Sequence, residues 1–161
     1  MNKNVIISVY DKTDLDIIAK FLIKKNFTIY STGGTSNFLK TNNIPHIEIS
    51  KYTKQKEILG GRVKTLHPKI FGGLLGTLSQ EHQKELQSEK IVNFDMLIIN
   101  LYPFEETIKK TKKSEEIIEM IDIGGHSLIR AAAKNYLKST IIVNPLDYTN
   151  FIKSFPLNFL K

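Results

Sequence analysis

The segment DMLIIN, residues 95–100, is the clearest buried strand in this sequence. Its apolar residues follow one another without interruption, and polar residues stand at both ends, at Asp95 and Asn100. A short continuous apolar run of this kind is typical of a strand that other layers cover on both faces. The segment therefore predicts a buried strand in a sheet that is packed on its two faces.

Further short apolar runs on either side of this segment predict the other strands. We expect them at residues 5–9 (VIISV), 27–30, 44–49 and 140–143. Between these runs, apolar residues recur at the three- and four-residue spacing of a helix face. We expect a first helix after Asp11 and Thr13, which can cap it. Further helices are expected at about 36–41, 52–59 (one turn), 79–89, 115–121, 126–135 and 145–155. Strands that alternate with helices predict an α/β fold, a three-layer sandwich with a mainly parallel sheet, and we expect one domain over residues 1–161.

The composition excludes several classes of function. The chain has 41% hydrophobic and 24% charged residues and no cysteine, which excludes disulfides and thiolate chemistry. The formal net charge is +7, but the lysines are spread along the chain, and the densest group, residues 109–113, is followed at once by two glutamates. This arrangement indicates a solvated face, so we expect no nucleic-acid partner. No apolar run approaches the length of a membrane span, and we expect no membrane contact and a cytoplasmic location.

Polar loops follow three of the predicted strands, at residues 10–12, 31–35 (STGGT) and 100–102. In open parallel sheets, ligands bind beyond the carboxyl ends of the strands, so these loops mark the expected site. The glycines of STGGT allow backbone N–H groups to converge on a phosphate, with the hydroxyls of Thr32 and Thr35 as further donors and Lys12 as a counter-charge. A tight turn in which Thr35 caps the helix explains the same residues. The segment matches neither the P-loop nor the dinucleotide-binding glycine pattern.

A second glycine-rich stretch, GGRVKTLHPKIFGG at residues 60–73, predicts a shaped loop. The glycine pair at its start permits backbone conformations closed to other residues. Residues two apart share a face in an extended segment, so Arg62 and Lys64 are expected to point together. A guanidinium and an ammonium on one side of a loop form a good anion site, although a basic surface loop remains the alternative.

Three residues elsewhere have chemistry that the pattern alone leaves open. Asp122 stands just before a predicted helix and either caps that helix or orients a substrate and exchanges a proton with it. Lys134 lies on a helix face of alanines and is either a partly desolvated proton-transfer group or a solvated lysine at a helix end. Tyr102 is either a phenol donor or a core ring with its hydroxyl at the surface. The four histidines have no metal-ligand spacing, and we predict no metal site.

Five blocks of the sequence together resemble one known family. They are SVYDKTDL (8–15), STGGT (31–35), LGGRVKTLHPKIFGGLL (59–75), NLYPFEET (100–107) and IDIGGHSLIRAAAKNY (121–136). In order and spacing they resemble the N-terminal inosine monophosphate (IMP) cyclohydrolase domain of the bifunctional purine-biosynthesis enzyme. The other half of that enzyme is the aminoimidazole carboxamide ribonucleotide (AICAR) transformylase.

The resemblance implies a methylglyoxal-synthase-like fold and closure of the purine ring, in which formyl-AICAR gives IMP and water. It implies no cofactor, a nucleotide as the small-molecule partner, and a homodimer. Lys134 is implied as the proton donor and acceptor, assisted by Lys64, Tyr102 and Asp122. The implied substrate contacts are Tyr10, Asp11, Lys12, Thr32, Gly33, Gly34, Thr35, Arg62, Val63, Thr65, Ile99, Asn100 and Ile123.

Two departures from the family pattern limit what the resemblance implies. Tyr10 replaces the serine expected before the Asp-Lys pair, which puts one hydroxyl contact in question. Nothing in the 161 residues corresponds to the transformylase half, so we do not expect formyl transfer or a folate substrate from this chain itself. A non-catalytic module that binds a phosphate-bearing effector on the same fold is the alternative function. Methylglyoxal synthase is a third possibility, which the RVKT and AAAKN blocks argue against.

Overall fold

Five parallel strands form the centre of the computed structural model, which describes residues 3–155. The strands are β1 (Lys3–Val9), β2 (Phe27–Ser31), β3 (Ile47–Glu48), β4 (Met96–Asn100) and β5 (Thr140–Ile142). Their order across the sheet is β3-β2-β1-β4-β5, and every pair is parallel. The prediction of an α/β fold with a mainly parallel sheet is confirmed.

Nine α-helices connect or flank these strands within the described residues. They are α1 (Leu15–Lys24), α2 (Gly33–Thr41), α3 (Ile49–Thr53), α4 (Pro68–Leu75), α5 (Gln80–Ser88), α6 (Phe104–Lys110), α7 (Ser114–Glu119), α8 (Gly124–Lys134) and α9 (Tyr148–Lys153). Two 3₁₀ turns cover Leu59–Gly61 and Pro145–Asp147.

Helices cover both faces of the sheet because successive strand residues point to opposite sides. Val5 and Ile7 of β1 belong to a buried cluster with residues of α1, α2 and α9. Ile6, between them, belongs to a second cluster with residues of α4 and α8. The residues of β4 alternate in the same way: Met96 and Ile98 lie in the first cluster, and Leu97 lies in the second. Burial on both sides explains why DMLIIN is continuously apolar.

The second glycine-rich stretch is only partly a loop. We expected residues 60–73 to form one, but Pro68–Leu75 is helix α4. Pro68 suits the first position of a helix, and the side chain of His67 caps it by accepting a hydrogen bond from Lys69 N. Within the helix, a Cβ on Gly73 would lie 2.3 Å from Val92 O, so a glycine is required for close packing there. The glycines that this packing requires lower the helix propensity of the segment, which is why the sequence predicted a loop.

Other boundaries also differ from the expectation. The third strand is shortened to two residues, Ile47–Glu48, because α3 begins at Ile49. The helical turn expected at 52–59 is wrong, since α3 precedes most of that range and a 3₁₀ turn ends it. Helix α6 was not expected. Helix α2 begins at Gly33, three residues before the expected start, so the glycines of STGGT form the first turn of a helix.

Two features that bear on function are absent from the described part of the chain. None of its helices has the length and apolar character needed to cross a membrane. No group of three or more His, Cys, Asp or Glu side chains within residues 3–155 could hold a metal ion.

Candidate functional site

A cavity of about 690 Å³ lies at the carboxyl ends of β1, β2 and β4. From the centre of the sheet, the chain places β2 and β3 on one side of β1 and places β4 and β5 on the other. An open parallel sheet leaves a crevice where its strand order reverses in this way. The predicted site residues that line the cavity are Tyr10, Lys12, Thr32, Gly33, Gly34, Thr35, Arg62, Lys64, Thr65, Ile99, Asn100, Tyr102, Asp122 and Ile123.

The first turn of α2 is the most suitable place for an anion in this cavity. Gly33 and Gly34 are the first residues of the helix, where backbone N–H groups have no partner within the helix. A Cβ built on Gly34 would lie 3.9 Å from Lys12 Nζ, and one on Gly33 would lie 4.0 Å from Lys64 Nζ. Two ammonium groups therefore approach a helix N-terminus whose dipole already favours negative charge. Together these groups can hold a phosphate.

The threonine hydroxyls beside this turn have different roles. Thr35 Oγ1 accepts a hydrogen bond from Val9 N and donates one to Val9 O, both at 3.0 Å. This hydroxyl joins α2 to β1, so it does not cap the helix, and its proton is not available to a ligand. Thr32 Oγ1 lies 3.2 Å from Ser8 Oγ, and either hydroxyl can be the donor. Since one hydroxyl of that pair keeps its proton free, the pair can still donate to a ligand.

The segment of residues 58–65 forms a second side of the cavity. Ile58 and Val63 form an isolated antiparallel bridge, with N···O distances of 3.1 and 3.4 Å. Arg62 and Lys64, on either side of Val63, both line the cavity, whereas Val63 does not. Arg62 and Lys64 thus share the cavity, although Arg62 has helical φ and ψ and not the extended conformation expected from the sequence.

Arg62 is engaged by another element of the chain. It follows two glycines with positive φ, Gly60 at 65° and Gly61 at 91°. Its guanidinium forms an ion pair with Glu119 at the end of α7, and both side chains are more than half exposed. Hydrogen bonding and charge attraction raise the pKa of Arg62 and lower the pKa of Glu119. A ligand anion at Arg62 therefore has to compete with this carboxylate.

Asp122 lies where α8 begins, on the third side of the cavity. Its Oδ1 accepts a hydrogen bond from Gly125 N at 2.6 Å. A Cβ on Gly125 would lie 2.6 Å from Asp122 Oδ2, and a Cβ on Gly124 would lie 2.7 Å from Thr65 Oγ1. Both glycines are thus required for the loops to close against the helix. Asp122 caps α8 and also lines the cavity, so the two interpretations from the sequence are compatible.

Asn100 fixes the loop that follows β1. Its Oδ1 accepts hydrogen bonds from Tyr10 N at 2.7 Å and Asp11 N at 2.8 Å, and its Nδ2 donates to Asp11 O at 2.9 Å. Lys12 Nζ donates to Tyr10 O at 3.0 Å. The carboxylate of Asp11 accepts two hydrogen bonds from Thr13, which lower the pKa of Asp11. Asn100 thereby holds the loop that presents Lys12.

A family model described as an MGS-like domain matches residues 14–127. The chain belongs to the MGS-like domain family. The fold that the resemblance implied is confirmed by this match and by the all-parallel sheet. A solved structure described as ForH superposes on this MGS-like domain with a TM-score of 0.86 and covers 99% of this chain and 81% of its own. Their sequences are 24% identical, so the likeness shows a shared fold.

Relatives with a closer sequence are named bifunctional purine biosynthesis protein PurH. The relative from Fusobacterium nucleatum is 49% identical over 149 residues, which are 92% of this chain and 30% of the relative. The one from Buchnera aphidicola subsp. Schizaphis graminum is 47% identical over 152 residues, 94% of this chain and 29% of the relative. The one from Persephonella marina is 50% identical over 153 residues, which are 94% of this chain and 30% of the relative. The resemblance to this family is confirmed, and the MGS-like domain spans about 30% of the relatives' length.

The cavity includes three of the four residues that the resemblance implies for catalysis, namely Lys64, Tyr102 and Asp122. Lys134 is exposed and is the last residue of α8, whose first residues line the cavity. At about 1.5 Å of rise per residue, the helix carries Lys134 roughly 15 Å away from Gly124. Lys134 is therefore outside the cavity of a single chain, as are Asp11 and Val63.

Two carboxylates line the cavity without having been singled out from the sequence, Glu57 and Glu119. Glu57 stands three residues before Gly60, and its position next to the glycine-rich segment is a signal that could have identified it. Glu119 belongs to a charged helix with further glutamates at 115 and 116. Nothing distinguishes it from them before the packing against Arg62 is known.

Proposed function

We propose that this MGS-like domain is an IMP cyclohydrolase, which closes the ring of formyl-AICAR to give IMP and water. The observation that carries the proposal is one cavity in which Lys12, Lys64 and the start of α2 meet, and which Tyr102 and Asp122 also line. The relatives' name, which refers to purine biosynthesis, supports a purine nucleotide as the ligand.

The phosphate of the nucleotide binds at the first turn of α2. The N–H groups of Gly33 and Gly34 and the ammonium of Lys12 supply the hydrogen bonds and the charge. With the phosphate there, the heterocycle extends towards the side of the cavity formed by β4 and the start of α8. Tyr102 and Asp122 lie on that side and act on the reacting end.

Ring closure needs orientation and charge stabilisation. The carboxamide nitrogen attacks the formyl carbon, the new C–N bond forms, and negative charge develops on the formyl oxygen. The carboxamide nitrogen and the formamide nitrogen each lose one proton. The formyl oxygen takes up two protons and leaves as water, while the formamide nitrogen forms the C=N bond of the ring. Both reacting groups belong to one molecule, so the protein holds the productive conformer and places donors near the oxygen. Asp122 accepts the N–H hydrogen bond and Tyr102 donates to the oxygen.

Lys64 has two possible tasks in this reaction, and kinetics separate them. Its Nζ approaches Gly33, where it serves the phosphate, whereas the resemblance implies a role at the formyl oxygen that needs the side chain to turn within the cavity. Turnover of formyl-AICAR is measured by the purine absorbance. If Lys64 binds phosphate, Lys64→Ala raises KM, and if it stabilises the oxyanion, kcat falls about 10²–10³-fold. Unchanged values of both would remove Lys64 from the site.

The role of Lys134 is tested in the same assay. The resemblance predicts that Lys134→Ala abolishes turnover and leaves nucleotide binding intact. Since Lys134 lies outside the cavity of its own chain, such a result would place its action in the cavity of a second chain. Mixing the Lys64→Ala and Lys134→Ala proteins would then restore part of the activity. Full turnover by Lys134→Ala alone would contradict any catalytic role for this residue.

A non-catalytic module that binds a phosphate-bearing effector is the second candidate. The absence of Lys134 from the cavity favours this candidate, because a phosphate site that lacks part of its proton-transfer set can bind a ligand without catalysing its reaction. This candidate predicts saturable binding of IMP in calorimetry with no consumption of formyl-AICAR. Turnover that depends on Asp122 would exclude it.

A further inference from the structure

Three carboxylates line the cavity, and two of them have partners in the chain. Glu119 forms an ion pair with Arg62, and Asp122 accepts the hydrogen bond from Gly125 N. Glu57 makes no hydrogen bond within 3.5 Å and no ion pair within 4.0 Å among the described residues. One carboxylate of the cavity is therefore free to receive a group from a ligand.

Glu57 lies close to the proposed phosphate position. A Cβ on Gly33, the first residue of α2, would lie 3.9 Å from Glu57 Oε1 and 4.0 Å from Lys64 Nζ. The other carboxylate oxygen, Oε2, would lie 3.5 Å from a Cβ on Gly61. The carboxylate thus lies between the start of α2 and the glycine turn, next to the place where a phosphate binds.

The charge of Glu57 restricts which ligand group can bind there. An ionised carboxylate accepts hydrogen bonds and cannot donate them. It repels a phosphate, so it does not contribute to phosphate binding itself. The ligand group at Glu57 must carry O–H or N–H donors and must lie within a few ångströms of the phosphate. In a nucleoside monophosphate, the ribose meets both conditions, because its two neighbouring hydroxyls match the two oxygens of one carboxylate.

We propose that Glu57 is a specificity-determining residue that accepts hydrogen bonds from the ribose hydroxyls of the bound nucleotide. The inference rests on the proposed function only in taking a nucleoside monophosphate as the ligand. Glu57 makes the cavity select ribonucleotides over deoxynucleotides and over inorganic phosphate.

The test compares the affinities of IMP, 2′-deoxy-IMP and 3′-deoxy-IMP by calorimetry. A hydrogen bond to a charged group makes wild-type protein bind at least one deoxynucleotide about tenfold or more weakly than IMP. In Glu57→Ala this ratio falls to within about twofold, and in Glu57→Gln, which keeps one acceptor oxygen, it is intermediate. The affinity for inorganic phosphate rises in both variants, because a negative charge is removed.

Glu119→Ala is the matched control, since it removes a carboxylate from the same cavity and changes the net charge equally. We expect its ratio of IMP to deoxynucleotide affinity to equal that of the wild type. Equal ratios in wild type and Glu57→Ala, or no preference for IMP in the wild type, would overturn the inference. Turnover of formyl-AICAR is measured separately: a ribose preference that depends on Glu57 without turnover upholds the inference and rejects the cyclohydrolase. Turnover with a ratio independent of Glu57 does the reverse.

Discussion

Gly125 shows how a residue without a side chain fixes the position of a carboxylate that lines the cavity. Its N–H donates to Asp122 Oδ1 at 2.6 Å, and the space beside its Cα is filled by the same carboxylate and by Leu101. A Cβ there would lie 2.6 Å from Asp122 Oδ2 and 2.8 Å from Leu101 Cδ2. The Asp122 carboxylate can therefore reach Gly125 N only because residue 125 has no Cβ.

Gly125→Ala is expected to displace Asp122 and weaken the start of α8. Overpacking together with a strained hydrogen bond lowers the free energy of unfolding by about 1–3 kcal/mol, which urea denaturation measures. Gly34→Ala is the control, because its Cβ would meet only Lys12 Nζ at 3.9 Å, an ordinary contact. We expect Gly34→Ala to change stability by less than about 1 kcal/mol. Equal losses in the two variants would contradict this explanation.

Some residue positions followed from the sequence and others required the packing. The two-residue spacing of an extended segment predicted that Arg62 and Lys64 point together. Both line the cavity, but Arg62 has helical φ and ψ (−63° and −27°), so the extended geometry behind the prediction is not present there. The hydroxyl of Thr35 was ambiguous, because a threonine beside a helix start suits a ligand, a cap or a strand equally. Only the register that brings Thr35 next to Val9 decides between them. The position of Glu57 beside Gly33 likewise depends on packing between segments that are distant in sequence.

At the scale of elements, α6 and α7 differ from α8, the third helix between β4 and β5. Neither has a buried residue, whereas α8 buries Leu128, Ala131 and Ala132. The Arg62–Glu119 ion pair joins the end of α7 to the glycine turn across the cavity. With so little apolar burial, we expect the position of α7 to depend on this exposed pair as well as on packing.

Glu119→Gln is expected to loosen α7 without unfolding the protein. Hydrogen exchange of the amides in Ser114–Glu119 becomes several-fold faster, while the thermal midpoint stays unchanged, since exposed ion pairs contribute little to global stability. Glu106→Gln is the matched control, because it breaks a Lys110–Glu106 pair that lies within α6. Exchange across α7 that is equally fast in both variants would mean that the Arg62 contact does not hold this helix.

The sequence predicted best the strands that are buried on both faces of the sheet. DMLIIN has four consecutive apolar residues and VIISV is apolar except for Ser8, and both form strands. Helix α4 was missed because Gly73 allows close packing against Val92. Helix α6 was missed because only two of its residues, Phe104 and Ile108, are apolar. Strand β3 was overestimated, since its pairing is limited to Tyr30↔Ile47 and Ser31↔Glu48, which residue preferences do not reveal.

At the scale of the whole molecule, Tyr148 joins the end of the described chain to the first core cluster. It is the first residue of α9 and is 2% exposed, in the cluster that includes residues of β1 and α1. Burial, and then the negative charges of Asp11 and Asp14, raise the pKa of Tyr148 from 10.0 to about 12. The phenol therefore stays neutral in the folded protein at a pH where it ionises in the unfolded chain.

This difference predicts a loss of stability at alkaline pH. The folded pKa is the higher one, so the contribution is complete below pH 10 and disappears as the pH rises towards about 12. A shift of this size corresponds to at most about 2–3 kcal/mol. Urea denaturation of wild type and Tyr148→Phe across this range isolates the effect from lysine titration, and the variant should lose less stability. Tyr136→Phe, at a residue that is 74% exposed, should behave as the wild type does. If Tyr148→Phe and wild type lost stability in parallel, the alkaline sensitivity would have to arise from groups outside this core cluster.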